Sequence, residues 1–241
     1  MDRRLTHVFF DVTHTLLDVR GSVGEIYATH ARAHGLQAPA EQIEVHFQAA
    51  IADLPQSLAP GLTAGEIQAR ELAWWRELAR RSLAPFGSFP RFDAFFADVF
   101  EAFRGREAWV LHPDTASMLA TLRAQGRRLG IISDMDSRLF DVLADFGLDA
   151  TFDVVCLSFR CGFRKPDVRL FAAALQLAGA RAECSVHIGD SLRSDVQGAL
   201  DAGLHAVHLD AKRSGGTPAR AHVVHDLMQL PALLDRLDAE V

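Results

Sequence analysis

The sequence predicts an α/β architecture: a doubly wound, Rossmann-like parallel sheet with an all-helical domain inserted after its first strand. Three observations predict it. Short runs rich in β-branched and aromatic residues are almost continuously apolar, as strands covered on both faces tend to be. Helical patterns ending in glycine stand between those runs. The stretch from about 20 to 108 carries helical patterns and no convincing strand.

The elements follow in order. HVFF, residues 7–10, is the first strand, and it stops at Asp11. In the insert, Ser22-x-x-Glu25 and Thr63-x-x-Glu66 have the form of capping boxes that open helices. EIYATHARAHG, EQIEVHFQAAIADL, ELAWWRELARRSL and FDAFFADVFEAFRG read as amphipathic helices. Trp74 and Trp75 are adjacent, and neighbouring helix positions point about 100° apart. They read as bundle core, with room for one of them to face a cleft. Beyond the insert, HPDTASMLATLRAQG has Pro113 near its start and Gly126 just past its end. RLGIIS (128–133) is the second strand, FDVVCLS (152–158) the third, CSVHIG (184–189) the fourth and HAVHL (205–209) the fifth. The helices between them stop at Gly147, Gly179 and Gly203. The expected division is a core of 1–19 and 109–241 and a helical domain of 20–108.

The chain has 241 residues, of which 49% are hydrophobic and 23% charged, enough to bury a sizeable core. Its net charge of -6, with no long basic run, weighs against a dedicated nucleic-acid or anionic-membrane surface. No apolar run reaches membrane-spanning length. The opening MDRRLTHVFFD has too short an apolar part for a signal peptide. Cys156, Cys161 and Cys184 have neither zinc-site spacing nor the look of a disulfide framework. Cys156 sits in an apolar run and reads as a core residue. The expectation is a cytoplasmic, reduced protein.

The chemistry gathers where strands end. The first strand stops at Asp11, the second at Ser133 and the fourth at Asp190. In open α/β sheets, ligands bind outside the carboxyl ends of the strands. The loop RCGFRKPD brings Lys165 toward that edge, and Asp195 follows Asp190 at a helix start. Three carboxylates against one ammonium would repel each other and resist desolvation. A divalent, oxygen-seeking cation removes the imbalance, and Mg²⁺ fits, because it keeps positions open for phosphate and water. A phosphate could then bind the metal, Lys165 and the Ser133 hydroxyl, which makes this a phosphoryl-transfer site. Asp11 is the candidate nucleophile, attacking phosphorus to give an aspartyl phosphate. Lys165 and the metal would stabilise the transferring group.

Four segments in order, Asp11-Val12-Thr13-His14-Thr15-Leu16, Ser133, Lys165-Pro166-Asp167 and Gly189-Asp190-Ser191 with Asp195, resemble the signature of the haloacid dehalogenase-like hydrolases. The insert matches the position and helical character of that superfamily's first type of cap domain. The resemblance implies an α/β core at 1–19 and 109–241 and a cap at 20–108. It implies Mg²⁺ held by the Asp11 carboxylate, the Thr13 backbone carbonyl and Asp190, with Asp195 supporting that shell and Ser133 and Lys165 holding phosphate.

The sequence departs from the superfamily's usual phosphatases at one telling place. Two residues after the nucleophile they have a second Asp, which protonates the leaving group and then activates water. Here that place holds Thr13. General acid–base help is worth roughly 10² to 10⁴ in rate, so either the enzyme is slow, or its leaving group needs no proton, or another group serves. His14 replaces the usual glycine, and its expected place is solvated or against the cap. Asp134 stands where asparagine is common and is expected to cap the helix near Asp136. His187, inside a strand, is expected to be a satisfied core histidine. The expected function is an Mg²⁺-dependent phosphatase for a small phosphorylated metabolite. Arg20, Tyr27 and His30 are cap-side candidates for substrate contact, beside Glu25 and one of the two tryptophans. Two alternatives stand beside this: a 2-haloacid dehalogenase, and a non-catalytic phosphate-binding protein of the same fold. Dehalogenases of this fold resemble Ser-x-Asn at the Gly189-Asp190-Ser191 region and have tyrosine in place of Thr13, which argues against the first.

Overall fold

The computed structural model describes residues 5–56 and 58–239. Strand β1 (His7–Phe10) is followed by the short β2 (Leu17–Val19). Four helices come next: α1 (Val23–Ala33), α2 (Ala40–Asp53), α3 (Ala64–Leu83) and α4 (Phe92–Ala102). Then follow β3 (Trp109–Leu111), α5 (Thr115–Ala124), β4 (Arg128–Ser133), α6 (Leu139–Asp145) and β5 (Val154–Leu157). A single turn, α7 (Ser158–Cys161), leads to α8 (Val168–Ala178) and β6 (Ser185–Gly189). A wide helical turn over Leu192–Gln197 runs into α9 (Gly198–Asp201), and β7 (His205–Leu209), β8 (His222–Val224) and α10 (Leu230–Ala239) complete the chain.

Six strands form one parallel sheet in the order β5-β4-β1-β6-β7-β8, with β1 inside it. The strands read as nearly unbroken apolar runs because both faces are covered. Val8, Phe10, Ile131 and Ile188 face one layer, packed with Leu119, Val142 and Leu230. Phe9, Ile132 and Cys156 face the other, packed with Leu170, Phe171 and Ala199. Burying each such side chain is worth about 1.5–3 kcal/mol. The sheet is thus fixed from both sides, and its carboxyl edge is a stable platform.

Helices α1 to α4 have a core of their own, which includes Tyr27, Ile43, Phe47, Leu78 and Phe95. They lie between β2 and β3, which pair antiparallel, with Leu17 opposite Leu111 and Val19 opposite Trp109. Just beyond that ribbon Arg20 N–H donates to the Ala108 carbonyl at 2.8 Å, so the chain departs and returns at one point. Thr63 and Glu66 form a complete capping box on α3. Ser22 makes only half of one: it accepts from Glu25 N–H, and the return bond is not made.

The structure narrows or corrects several expectations. The third strand is shorter than FDVVCLS, because Ser158 already opens α7. Cys156 is buried as expected, and its sulfur also lies 3.0 Å from that of Cys161. Strands β2, β3 and β8, with three residues each, are too short to show a period of two in the sequence. Among the described residues, no helix is long and apolar enough to cross a membrane.

Candidate active site

The register of the sheet brings the candidate residues together. Phe10 pairs with Ile131 on β4 and with Ile188 on β6, so Asp11 emerges between the ends of those two strands. Its backbone N–H donates to the Ile188 carbonyl at 2.9 Å. Ser133 is the last residue of β4, and Asp190 follows the last residue of β6. Gly189 leaves room that a side chain would fill: a Cβ there would lie 2.2 Å from the Asp195 carboxyl carbon.

Lys165 is the hub. Its buried ammonium lies 2.8 Å from Asp11 Oδ1 and 2.6 Å from Asp195 Oδ1. Burial alone would push its pKa down, but the carboxylates of Asp11, Asp195 and Asp134 more than offset this and hold it above the usual lysine range. Asp195 is buried too, which by itself would raise its pKa; Lys165 and His187 outweigh that and hold it below the usual carboxylate range. Its second oxygen accepts from Ser191 N–H at 3.0 Å. The Lys165–Pro166 peptide bond is cis.

Asp190 differs from its neighbours. No cation pairs with it among the described residues, and burial, together with the charges of Asp11 and Asp195, pushes its pKa up. Carboxylate oxygens of Asp11, Asp190 and Asp195 lie within 4.8 Å of one another, an all-oxygen donor set. Lys165 balances only part of that charge. The set therefore fits a hard divalent cation such as Mg²⁺, which is held by one or two carboxylates and keeps its other positions for water and phosphate.

The polar surroundings depart from expectation at Asp134 and His187, while His14 is solvated as expected. Asp134 does not cap α6. It accepts from Lys165 N–H at 3.1 Å, tying the lysine loop to the end of β4, while Asp136 takes the local role by accepting from Arg138 N–H at 2.8 Å. Burial raises the Asp134 pKa, against the pull of Lys165. His187 is buried in β6, but it is not a fully satisfied core histidine. Nε2 lies 3.0 Å from Asp195 Oδ1, and Nδ1 has no partner among the described residues. His14 adopts a left-handed backbone (φ 61°), and its exposed ring lies 2.7 Å from Asp18, which also approaches His112 at 3.0 Å.

A cavity of about 860 Å³ opens from this edge toward the helical insert. Asp11, Thr13, Ser133, Lys165, Asp190 and Asp195 all line it. Of the insert's candidates, Tyr27, Trp74 and Trp75 line it as well. Arg20, Glu25 and His30 do not. The Arg20 guanidinium donates to the carbonyls of Arg106 and Trp109, and His30 pairs with Glu107 at 3.2 Å. Sequence reading missed Phe96, Phe100 and Arg138 in the wall. The adjacent aromatics of FDAFFADVF were visible, but which of them face the cavity depends on how α4 packs on α3.

This arrangement, with a carboxylate ending the central strand, a lysine bridging it to a second carboxylate, and a helical insert above, defines a hydrolase of one family. A model of the haloacid dehalogenase-like hydrolases matches residues 5–203, and the chain belongs to that family. A Bos taurus protein, haloacid dehalogenase-like hydrolase domain-containing protein 3, is 32% identical over 242 residues, covering 95% of this chain and 93% of that one. A glyceraldehyde 3-phosphate phosphatase from Methanothermobacter thermautotrophicus is 36% identical over 101 residues, covering 42% of this chain and 45% of that protein. Among solved structures, the HAD-hydrolase YfnB from Bacillus subtilis, bound to magnesium, superposes with a TM-score of 0.73 at 20% identity, covering 97% of this chain and all of that one. An L-2-haloacid dehalogenase from Xanthobacter autotrophicus superposes with a TM-score of 0.69 at 20% identity, covering 96% and 98%. Both likenesses show the fold alone. The chain is a HAD-like hydrolase with phosphatase relatives.

Proposed function

We propose that the protein is an Mg²⁺-dependent phosphatase of small phosphorylated compounds, with Asp11 as its nucleophile. The observation that carries this reading is the charge arrangement at the sheet edge. Lys165 is shared between Asp11 and Asp195, and Asp190 is left beside them without a cation. A site built for carbon chemistry on a haloacid has no use for that third carboxylate. The reading also draws on the partial likeness to a glyceraldehyde 3-phosphate phosphatase.

Asp11, Asp190 and the Thr13 carbonyl would hold Mg²⁺, with Asp195 behind them. When bound, the ion supplies positive charge against the phosphate oxygens. Asp11 attacks phosphorus, forming its Oδ–P bond as the ester P–O bond breaks, and the leaving oxygen takes a proton from water and departs as the alcohol. Lys165 and the Ser133 hydroxyl hold the phosphoryl oxygens as charge develops on them. Water then attacks phosphorus and frees Asp11. The Thr13 hydroxyl cannot serve as a carboxylate acid or base, so both steps proceed with less proton assistance than a second aspartate gives. The residues of 20–108 act as a cap that covers the cavity and sheds water from it.

The test is hydrolysis of p-nitrophenyl phosphate, whose leaving group departs without an acid. Turnover with Mg²⁺ that disappears with EDTA and in Asp11→Asn is the expected result. A folded protein without turnover would move the reading to a phosphate-binding protein.

A further inference from the structure

The candidate chemistry occupies one end of the cavity. The other end is walled by rings: Phe47, Trp74, Trp75, Phe96, Phe100 and Phe103 all line it. The cation among them is already paired within the protein, and the Glu44 carboxylate is held by neutral donors. Arg138 is held by Asp136 through bonds of 2.6 and 3.0 Å, and its guanidinium lies 4.1 Å from the Phe100 ring centre and 4.7 Å from that of Trp75. Glu44 accepts from Gly24 N–H at 2.7 Å and from the Gln48 amide at 2.8 Å. Arg164 is a neighbour of Lys165 and lies 3.8 Å from Asp134, at the charged end. A second negative charge on a ligand would therefore be desolvated against rings with no unpaired cation among the described residues to meet it.

The polar atoms of this wall are themselves withdrawn from the cavity: the indole N–H groups of Trp74 and Trp75 are buried, with no acceptor among the described residues. The two indoles meet edge to face, with centroids 4.9 Å apart. Size points the same way. A three-carbon phosphate ester would leave much of about 860 Å³ to water, whereas cavities of about 300–1,000 Å³ suit far larger ligands.

We propose that the organic part of the substrate is an aromatic or heteroaromatic group without a negative charge, seated against Trp75 and Phe100, with its phosphate at Asp11 and Lys165. This rests on the phosphatase reading. A flat ring stacks on or meets these rings edge-on. Trp74, Trp75 and Phe100 are then the residues that set specificity.

The test is calorimetric binding to the full chain with Mg²⁺, using three ligands that share one primary alkyl phosphate: ethyl phosphate, 2-(2-naphthyl)ethyl phosphate and the same compound with a carboxylate on its distal ring. The naphthyl ester is expected to bind at least about tenfold tighter than the ethyl ester. The added carboxylate is expected to remove most of that gain, and Trp75→Leu to shrink the naphthyl-to-ethyl ratio several-fold. Lack of any gain from the ring, or a preference for the carboxylated ligand, would overturn the proposal on the unmutated protein alone. Hydrolysis of p-nitrophenyl phosphate, measured alongside, reports on the phosphatase reading separately. A ring preference without hydrolysis would sink that reading and leave the ligand class standing.

Discussion

Lys165 sits between two buried carboxylates, so its replacement has a cost beyond catalysis. Lys165→Met strands Asp11 and Asp195 without their cation, and breaking a buried pair in this way costs about 3–5 kcal/mol. Thermal melts should show a lower Tm, and added Mg²⁺ should recover part of it by binding the carboxylates left unpaired. Thr13→Asp should act in the opposite direction on rate. On alkyl phosphates, whose leaving groups need a proton, kcat should rise, up to the roughly 10² to 10⁴ that acid–base help supplies. An unchanged kcat would mean that Thr13 does not limit the reaction. Asp11, Ser133, Lys165, Asp190 and Asp195 were legible in the sequence because strand ends, the loop before α8 and the helical turn after β6 fix where their backbones lie. The partners of Asp134 and His187 were not. Each reaches a residue fixed by tertiary packing: Asp134 bonds the backbone of Lys165, and His187 the carboxylate of Asp195.

Between elements, one contact that ties the insert to the sheet edge is Glu71 of α3. Its carboxylate accepts from both the backbone N–H and the hydroxyl of Ser137, in the loop after β4. Burial raises the Glu71 pKa, although the Ser137 bonds oppose this. Folded Glu71 therefore keeps its proton to higher pH than the unfolded chain does. Its contribution to stability falls as pH rises from the unfolded value, near 4.3, through the raised folded value. Glu71→Gln keeps an acceptor for Ser137 and removes the titration. Melts from pH 4 to 7 should show the native protein losing Tm relative to Glu71→Gln as pH rises, and parallel curves would contradict this. Helix and strand types were legible here wherever periods were long, as in the twenty residues of α3. The ribbon of β2 and β3 was not, because its pairing joins residues about ninety positions apart through three-residue strands.

At the scale of the whole molecule, the end of the sheet away from the site is closed by a buried cation. The Arg127 guanidinium is fully buried and donates to the Leu5 carbonyl, Asp235 and Asp238, joining β1, the approach to β4 and α10. Arg127→Met removes one donor each from Asp235, Asp238 and the Leu5 carbonyl. It should cost about 2–4 kcal/mol in urea unfolding, while p-nitrophenyl phosphate turnover per folded molecule is retained. A loss of turnover in the folded variant would mean that the two ends of the sheet are coupled. The central claim concerns the opposite edge, where a strand ends in Asp11 and proton handling is reduced at Thr13. Its most direct measurement is mass spectrometry of acid-quenched protein during turnover of a phosphate ester with Mg²⁺. The account predicts one phosphoryl group on the peptide that holds Asp11, absent in Asp11→Asn and depleted in Thr13→Asp, where breakdown is faster. Turnover that persists in Asp11→Asn, with no phosphoryl group on Asp11 in the native protein, would contradict it.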